Sequence, residues 1–174
     1  FRLEDVQKGG ARFDEQKMSH LNFEYMKAMP IQAYVQIGKR SLVKSGLIEE
    51  PVDETYLTAV MKLCQEKIDS FENLPGFASY FFSDQYAISE KAENKVMKKE
   101  GAIDRLEELL PRLAALQNWT QTEIDSAFNQ LADEKQLKPF AWYPIVRFSV
   151  SGTNSGPDFL PMLEALGKER VLNR

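Results

Sequence analysis

At 174 residues the chain is long enough for one domain, or two small ones, to bury a core without disulfide or metal staples. Its 43% apolar, 28% charged and 11% aromatic residues, with only 9 Gly and 8 Pro, exclude a disordered, collagenous or mucin-like chain. One Cys and one His exclude an internal disulfide and a Cys/His zinc site.

With no apolar run near the roughly 18 residues of a spanning helix, and no signal peptide in its first 30 residues, which carry Glu4, Asp5, Asp14 and Glu15, the chain is expected to be cytoplasmic, with no membrane partner. The net charge of −4 argues against a generally cationic surface, but two segments are locally basic. Residues 31–48 hold Lys39, Arg40 and Lys44 with no acid. Residues 137–174 hold Lys138, Arg147, Lys168, Arg170 and Arg174 against Asp158, Glu164 and Glu169. Such clusters are either ordinary solvated faces or contacts for a polyanion.

Apolar spacing is mostly helical. A first helix opens near Asp14, with Met18, Leu21, Tyr25, Met26 and Met29 on one face, and Pro30 ends it. A second begins with Ile31, Tyr34 and Val35 and stops at Gly46. Asp53 caps a third through Tyr56, Leu57, Val60, Met61, Cys64 and Ile68. Residues 71–88, with Pro75, Gly76 and the aromatics Phe77, Tyr80, Phe81, Phe82 and Tyr86, read as short turns and one aromatic-rich helical piece, the seam between two subdomains.

Ser89 is a candidate cap for a charged helix, and Gly101 precedes a leucine-rich one from Ile103 to Leu116, which Pro111 should kink or split. Thr120-Gln121-Thr122-Glu123 reads as a capping box before Ile124, Ala127, Phe128 and Leu131. Val146-Arg147-Phe148-Ser149-Val150 alternates with a period of two, which taken alone argues for a strand. Asn154-Ser155-Gly156-Pro157 is a turn, with Pro157 suited to the first position of a helix through Phe159 and Leu166 that Gly167 ends; a short helix with Val171 and Leu172 closes the chain.

Catalytic groups are scarce. Gly9-Gly10 and Gly152 to Gly156 lack the Lys-Ser/Thr of a phosphate loop. His20 is the only His and has Lys17 three residues before it, which excludes the paired Glu-x-x-His motifs of a di-metal bundle. Cys64 falls on an apolar helical stripe and reads as a buried structural thiol. Glu49-Glu50 and Glu107-Glu108 point apart on a helix and make no acid/base couple. The residues by themselves describe a helical binding module.

Five segments, in order, carry a resemblance: FRLEDVQKGGARFDEQKMSHLN at 1–22, EKIDSFENL at 66–74, YFFSDQYAISEKA at 80–92, NWTQTEID at 118–125 and PIVRFSVSGTNSGPDFLPMLEALGKERVLNR at 144–174. The last is the specific one. Together they make the chain similar to the C-terminal, anticodon-binding half of bacterial glutamyl-tRNA synthetases. The resemblance implies an all-α fold of two packed helical subdomains, at 1–75 and 76–174, and overrules the strand reading of 146–150. It implies glutamate tRNA as partner through its anticodon stem-loop, with no DNA, and a catalytic half of the same chain that uses ATP and magnesium. No cofactor is expected in the chain itself.

By position, the resemblance places Arg147 on the first anticodon base, the Gly156-Pro157 loop with Phe159 on the first two, and Lys67 where the family carries an Arg reading the third. A guanidinium fork, a bend without a side chain and an aromatic face suit unstacked bases. Lys67 departs from that pattern, since an ammonium is a point charge and not a fork. Ser19-His20 also depart, standing where the family commonly shows Asp-Trp. The other reading open at this stage is a helical protein-interaction module that has kept the fold and lost tRNA.

Overall fold

The structure, a computed structural model, describes residues 14–174; Gly9-Gly10 and most of the leading 1–22 segment lie outside them. Among the described residues there are helices and turns and no strand. Asp14 accepts the Lys17 amide at 3.0 Å and opens α1 (Glu15–Ala28). Pro30 restarts the chain as α2 (Ile31–Lys44). The Asp53 carboxylate takes the amides of Thr55 and Tyr56 at 2.9 and 3.0 Å and opens α3 (Glu54–Gln65). The aromatic piece forms α4 (Leu74–Phe82), and Ser89 caps α5 (Glu90–Val96). Next come α6 (Ala102–Ala115), α7 (Gln121–Lys135), a 3-10 turn at Pro139–Ala141, α8 (Tyr143–Ser151), α9 (Phe159–Leu166) and α10 (Lys168–Asn173).

Three local expectations are corrected, and the helix that the resemblance implied at 146–150, against the local period of two, is present. Residues 146–150 lie in α8, where Ile145, Val146, Phe148, Val150 and Ser151 are all buried. A helix covered on most sides has no polar face to impose the helical period, so a short stretch can mimic alternation. Pro111 does not split α6, because it lies on the exposed face beside exposed Glu107, whose carbonyl can turn to water. The capping box at 120–123 is half formed. Thr120 accepts the Glu123 amide at 3.3 Å, but the Glu123 carboxylate goes to the backbone and side-chain amides of Asn118. Pro157 is not the first helical residue, since Asp158 occupies the cap and α9 starts at Phe159.

Helices α2, α3 and α4 pack on one another, with Tyr34, Leu57, Met61, Leu74 and Phe81 fully buried between them. Gly38 permits the close approach of α2 to α3: a Cβ there would stand 2.0 Å from the Met61 Cε. Helix α6 packs on α7, α8 and α10, and α9 packs on α7 and α10 and also on α3. The expected division between residues 75 and 76 falls inside α4, and buried residues on both sides of it belong to one connected core. Cys64 is fully buried there, and burial pushes its thiol up to about 12, which leaves no thiolate for nucleophilic chemistry.

The segment 168–174 shows why its sequence is so distinctive. Lys168 Nζ donates to the Leu116 carbonyl at the end of α6, at 2.7 Å. Arg170 Nη1 donates to the Phe81 carbonyl and to the Tyr56 hydroxyl. Arg174 is the most committed. Its Nη1 donates to the carbonyls of Tyr80 at 2.9 Å and Val150 at 2.8 Å, and its Nη2 to Ser83 at 3.0 Å and the Asp84 carboxylate at 2.6 Å. Its guanidinium also sits 4.6 Å from the Tyr86 ring centre.

These cations satisfy carbonyls that helix ends leave without partners, where the helix dipole also favours positive charge. The basic excess of 137–174 is therefore largely internal: three of its five cations face helix ends and not a polyanion. Arg174→Ala is expected to lower folding stability by about 3 kcal/mol, the order for a removed buried cation with several acceptors. Urea denaturation reads this as a lower midpoint at unchanged slope.

Candidate nucleic-acid interface

Arg147 lies in the second turn of α8, held by buried neighbours on both sides in sequence. Its guanidinium is half-buried and makes no ion pair among the described residues. Nη1 approaches the Met162 thioether at 3.5 Å, a weak acceptor, and the guanidinium carbon lies 5.6 Å from the Phe159 ring centre. Burial pulls the Arg147 pKa down from its usual value, while the nearby Tyr80 and Asp158 oppose that shift. A guanidinium remains charged regardless, so the site holds a partly desolvated cation with most of its donors free of protein acceptors.

The bend that follows is fixed at both ends. Gly152 takes a left-handed conformation (φ 69°) as the C-cap of α8, donates to the Phe148 carbonyl at 2.7 Å and accepts the Ser89 amide at 2.8 Å. A Cβ on Gly152 would stand 2.6 Å from the Ala87 carbonyl oxygen, so no other residue fits without displacing backbone. Thr153 closes the bend locally by donating to the Ser155 carbonyl at 2.6 Å. Gly156, at φ 155°, turns its bare side toward Arg147: a Cβ there would lie 3.0 Å from Arg147 Nη1 and 3.6 Å from the Tyr80 hydroxyl. Pro157 is buried.

Lys67, one residue beyond the C-cap of α3, donates to the Asp158 carboxylate at 2.9 Å. That ion pair explains why Asp158 caps α9 without a side-chain bond to the helix: its carboxylate is turned to Lys67. The structure thus brings Arg147, Gly156, Pro157, Phe159 and Lys67 around one bend. Phe159, however, is only 8% exposed, with Tyr143 stacked on it at 4.2 Å and Phe128 edge-on at 5.5 Å. It is a core anchor that supports Arg147 and has little surface to offer a base.

Sequence reasoning missed three residues here. Asp158 carried a signal, an acidic cap candidate between Gly-Pro and an apolar run. Met162 and Tyr80 carried none beyond apolar or aromatic periodicity. Of the other basic segment, Lys39 is held by Glu50 and Glu54 at 3.0 and 2.6 Å, while Arg40 and Lys44 stay exposed on α2. At the departure Ser19-His20, the Ser19 hydroxyl donates to the Asp69 carboxylate, and with Asn73 this holds the Asp69 carboxyl below its usual value. No helix among the described residues is long and apolar enough to cross a membrane.

A helical body that offers a half-buried guanidinium at a Gly-Pro bend fits the comparisons with known proteins. The family described as the anticodon binding domain matches residues 25–174. The chain belongs to this family. Over its full length it is 36% identical to a glutamate–tRNA ligase of Deinococcus radiodurans and 31% identical to one of Thermus thermophilus, spanning 36% of each relative's length. Among solved structures, a glutamate tRNA ligase from Elizabethkingia meningosepticum superimposes with a TM-score of 0.79 at 25% identity, covering 99% of this chain and 34% of that one. The family explains the all-helical fold, and the comparison rests on nearly the whole chain.

The Lys67–Asp158 pair is exposed, with side-chain accessibilities of 34% and 73%. Its contribution to folding is expected to stay below about 1 kcal/mol and to shrink with added salt. A double-mutant cycle with Lys67→Ala and Asp158→Ala, read by denaturation at two salt concentrations, checks this.

Proposed function

We propose that this chain is the C-terminal, anticodon-reading part of a glutamate–tRNA ligase, and that the bend at Gly156 receives the anticodon of glutamate tRNA. The observation that carries the proposal is Arg147: a half-buried cation with no acidic partner among the described residues, beside a glycine that faces it without a side chain. A structural arginine at this depth ordinarily finds a carboxylate or several carbonyls, as Arg174 does. Arg147 instead keeps its planar fork for an outside acceptor. The edges of an unstacked pyrimidine supply such acceptors, and RNA loops present them.

In this reading Arg147 contacts the first anticodon base, Gly156 and the buried Pro157 allow backbone to approach the first two, and Phe159 holds the guanidinium from beneath. Lys67, one side of the ion pair with Asp158, stands by the third base. Aminoacylation, with ATP and magnesium, belongs to a catalytic part of the same polypeptide, and the setting is the cytoplasm. Among the described residues no group of three or more His, Cys, Asp and Glu could hold a metal ion.

Arg147→Ala is expected to weaken binding of a glutamate-tRNA anticodon stem-loop at least about tenfold at fixed salt, as for loss of a base-reading arginine. Undiminished binding overturns the assignment. Wild-type binding should weaken steadily as salt is raised, because phosphate contacts release counterions. An absence of binding at low salt would favour the protein-interaction reading. Lys67→Arg is expected to sharpen discrimination at the third base by about 1 kcal/mol or more, since it restores a bidentate donor. Titrations with the third base changed measure it.

A further inference from the structure

The bare side of Gly156 faces two polar atoms, Arg147 Nη1 and the Tyr80 hydroxyl. Tyr80 comes from the last turn of α4, far from this bend in sequence, and is 4% exposed. Its hydroxyl is buried and has no hydrogen-bond partner. An orphaned buried hydroxyl is costly, and a phenylalanine would fill the same space at lower cost. The hydroxyls of the other tyrosines that pack at helix ends are used: Tyr56 donates to the Phe81 carbonyl at 2.8 Å and Tyr86 to Ser149 at 3.0 Å. The Tyr34 hydroxyl, the Trp142 indole nitrogen and Arg174 Nε also lack partners, but none is among the atoms within 4 Å of a Gly156 Cβ position.

The backbone of Tyr80 is held independently of its hydroxyl. Its carbonyl accepts from Arg174, and its ring packs on Phe81 at 4.4 Å and edge-on to Tyr86 at 6.4 Å. The ring is therefore positioned without the hydroxyl. Burial pushes the Tyr80 phenol well above its usual pKa, and Arg147 opposes that rise, so the hydroxyl keeps its proton and feels the guanidinium's charge. Beside a cation, the O–H dipole orients with oxygen toward the charge and hydrogen away from it. Two groups able to donate, one charged and one neutral, lie beside the glycine, on α8 and α4.

We infer that Tyr80 is a further specificity-determining residue, whose hydroxyl donates a hydrogen bond to the same acceptor-bearing nucleobase that Arg147 contacts. This rests on the anticodon-binding reading and deepens it. The ligand is a base whose exposed edge carries at least two acceptors, as O2 and N3 of a cytosine or the two carbonyl oxygens of a uracil do. Its arrival at Gly156 supplies the partner that the hydroxyl lacks in the protein alone.

Tyr80→Phe tests it, against the glutamate-tRNA anticodon stem-loop with the first base intact and with that base made abasic. The variant should fold with equal or greater stability than the parent, since only an unpaired hydroxyl is removed. It should bind the intact stem-loop about fivefold more weakly, the order of one neutral hydrogen bond, and the abasic stem-loop as the parent does. Its salt dependence should match the parent's, because no charge is lost. Equal binding of the intact stem-loop by Tyr80→Phe and parent overturns the inference, as does an equal loss on both stem-loops, which marks a purely structural role. If Arg147→Ala also binds as the parent does, the anticodon reading itself has failed. A loss confined to Arg147→Ala removes Tyr80 alone.

Discussion

The arrangement hangs on one guanidinium. Arg174 donates at the same time to the carbonyl of Tyr80 near the end of α4 and to that of Val150 near the end of α8. Those helices carry the Tyr80 hydroxyl and the Arg147 fork. Helix ends are where backbone carbonyls go unpaired, and each would be costly to bury alone. One planar cation that resolves several of them fixes the relative position of two helices far apart in sequence. Lys168 and Arg170 extend the device to α6 and to the neighbouring carbonyl of α4. Other elements follow the same rule with neutral donors: Gln65 reaches the Met26 and Met29 carbonyls at the end of α1, and the Trp119 indole reaches Leu163 in α9.

Two buried or half-buried arginines of one small helical body behave in opposite ways, and the contrast explains the site. Arg174 gives both of its terminal nitrogens to carbonyls and a carboxylate, leaving only its buried Nε without a partner, so its charge is compensated inside the fold. Arg147 has a thioether and an aromatic ring near it, groups that tolerate a cation without satisfying its donors. Desolvation without compensation raises the energy of the unliganded state, and an acceptor arriving from outside recovers it. In the proposed role shape adds selectivity, because a flat ring edge can approach a glycine more closely than a hydrated phosphate can.

Much of the fold was legible because helix punctuation is local. Asp14, Asp53, Ser89 and Thr120 cap the helices they were expected to cap, each by an oxygen accepting an amide two or three residues on. What failed depended on surroundings. The period-two run in α8 is the pattern of a helix enclosed by its neighbours, and Glu123 left its own cap because Asn118 offers it two donors. The site was legible in part. Arg147, Gly156, Pro157 and Lys67 came from a resemblance in sequence order, and they stand around one bend. Phe159 shows the limit of that approach: its position in the chain is consistent with a stacking role, but its ring is occupied by Tyr143 and Phe128. Tyr80 could not be found from sequence, since its relation to Gly156 exists only in three dimensions.

Lys67 and Asp158 neutralise each other at the mouth of the bend. Passing polyelectrolytes therefore meet a nearly charge-balanced rim, with the unspent positive charge recessed behind it in Arg147. Long-range attraction is muted there, and close docking is rewarded. In the proposed anticodon-reading role, a surface built this way favours a loop that inserts a ring over RNA that merely drifts past.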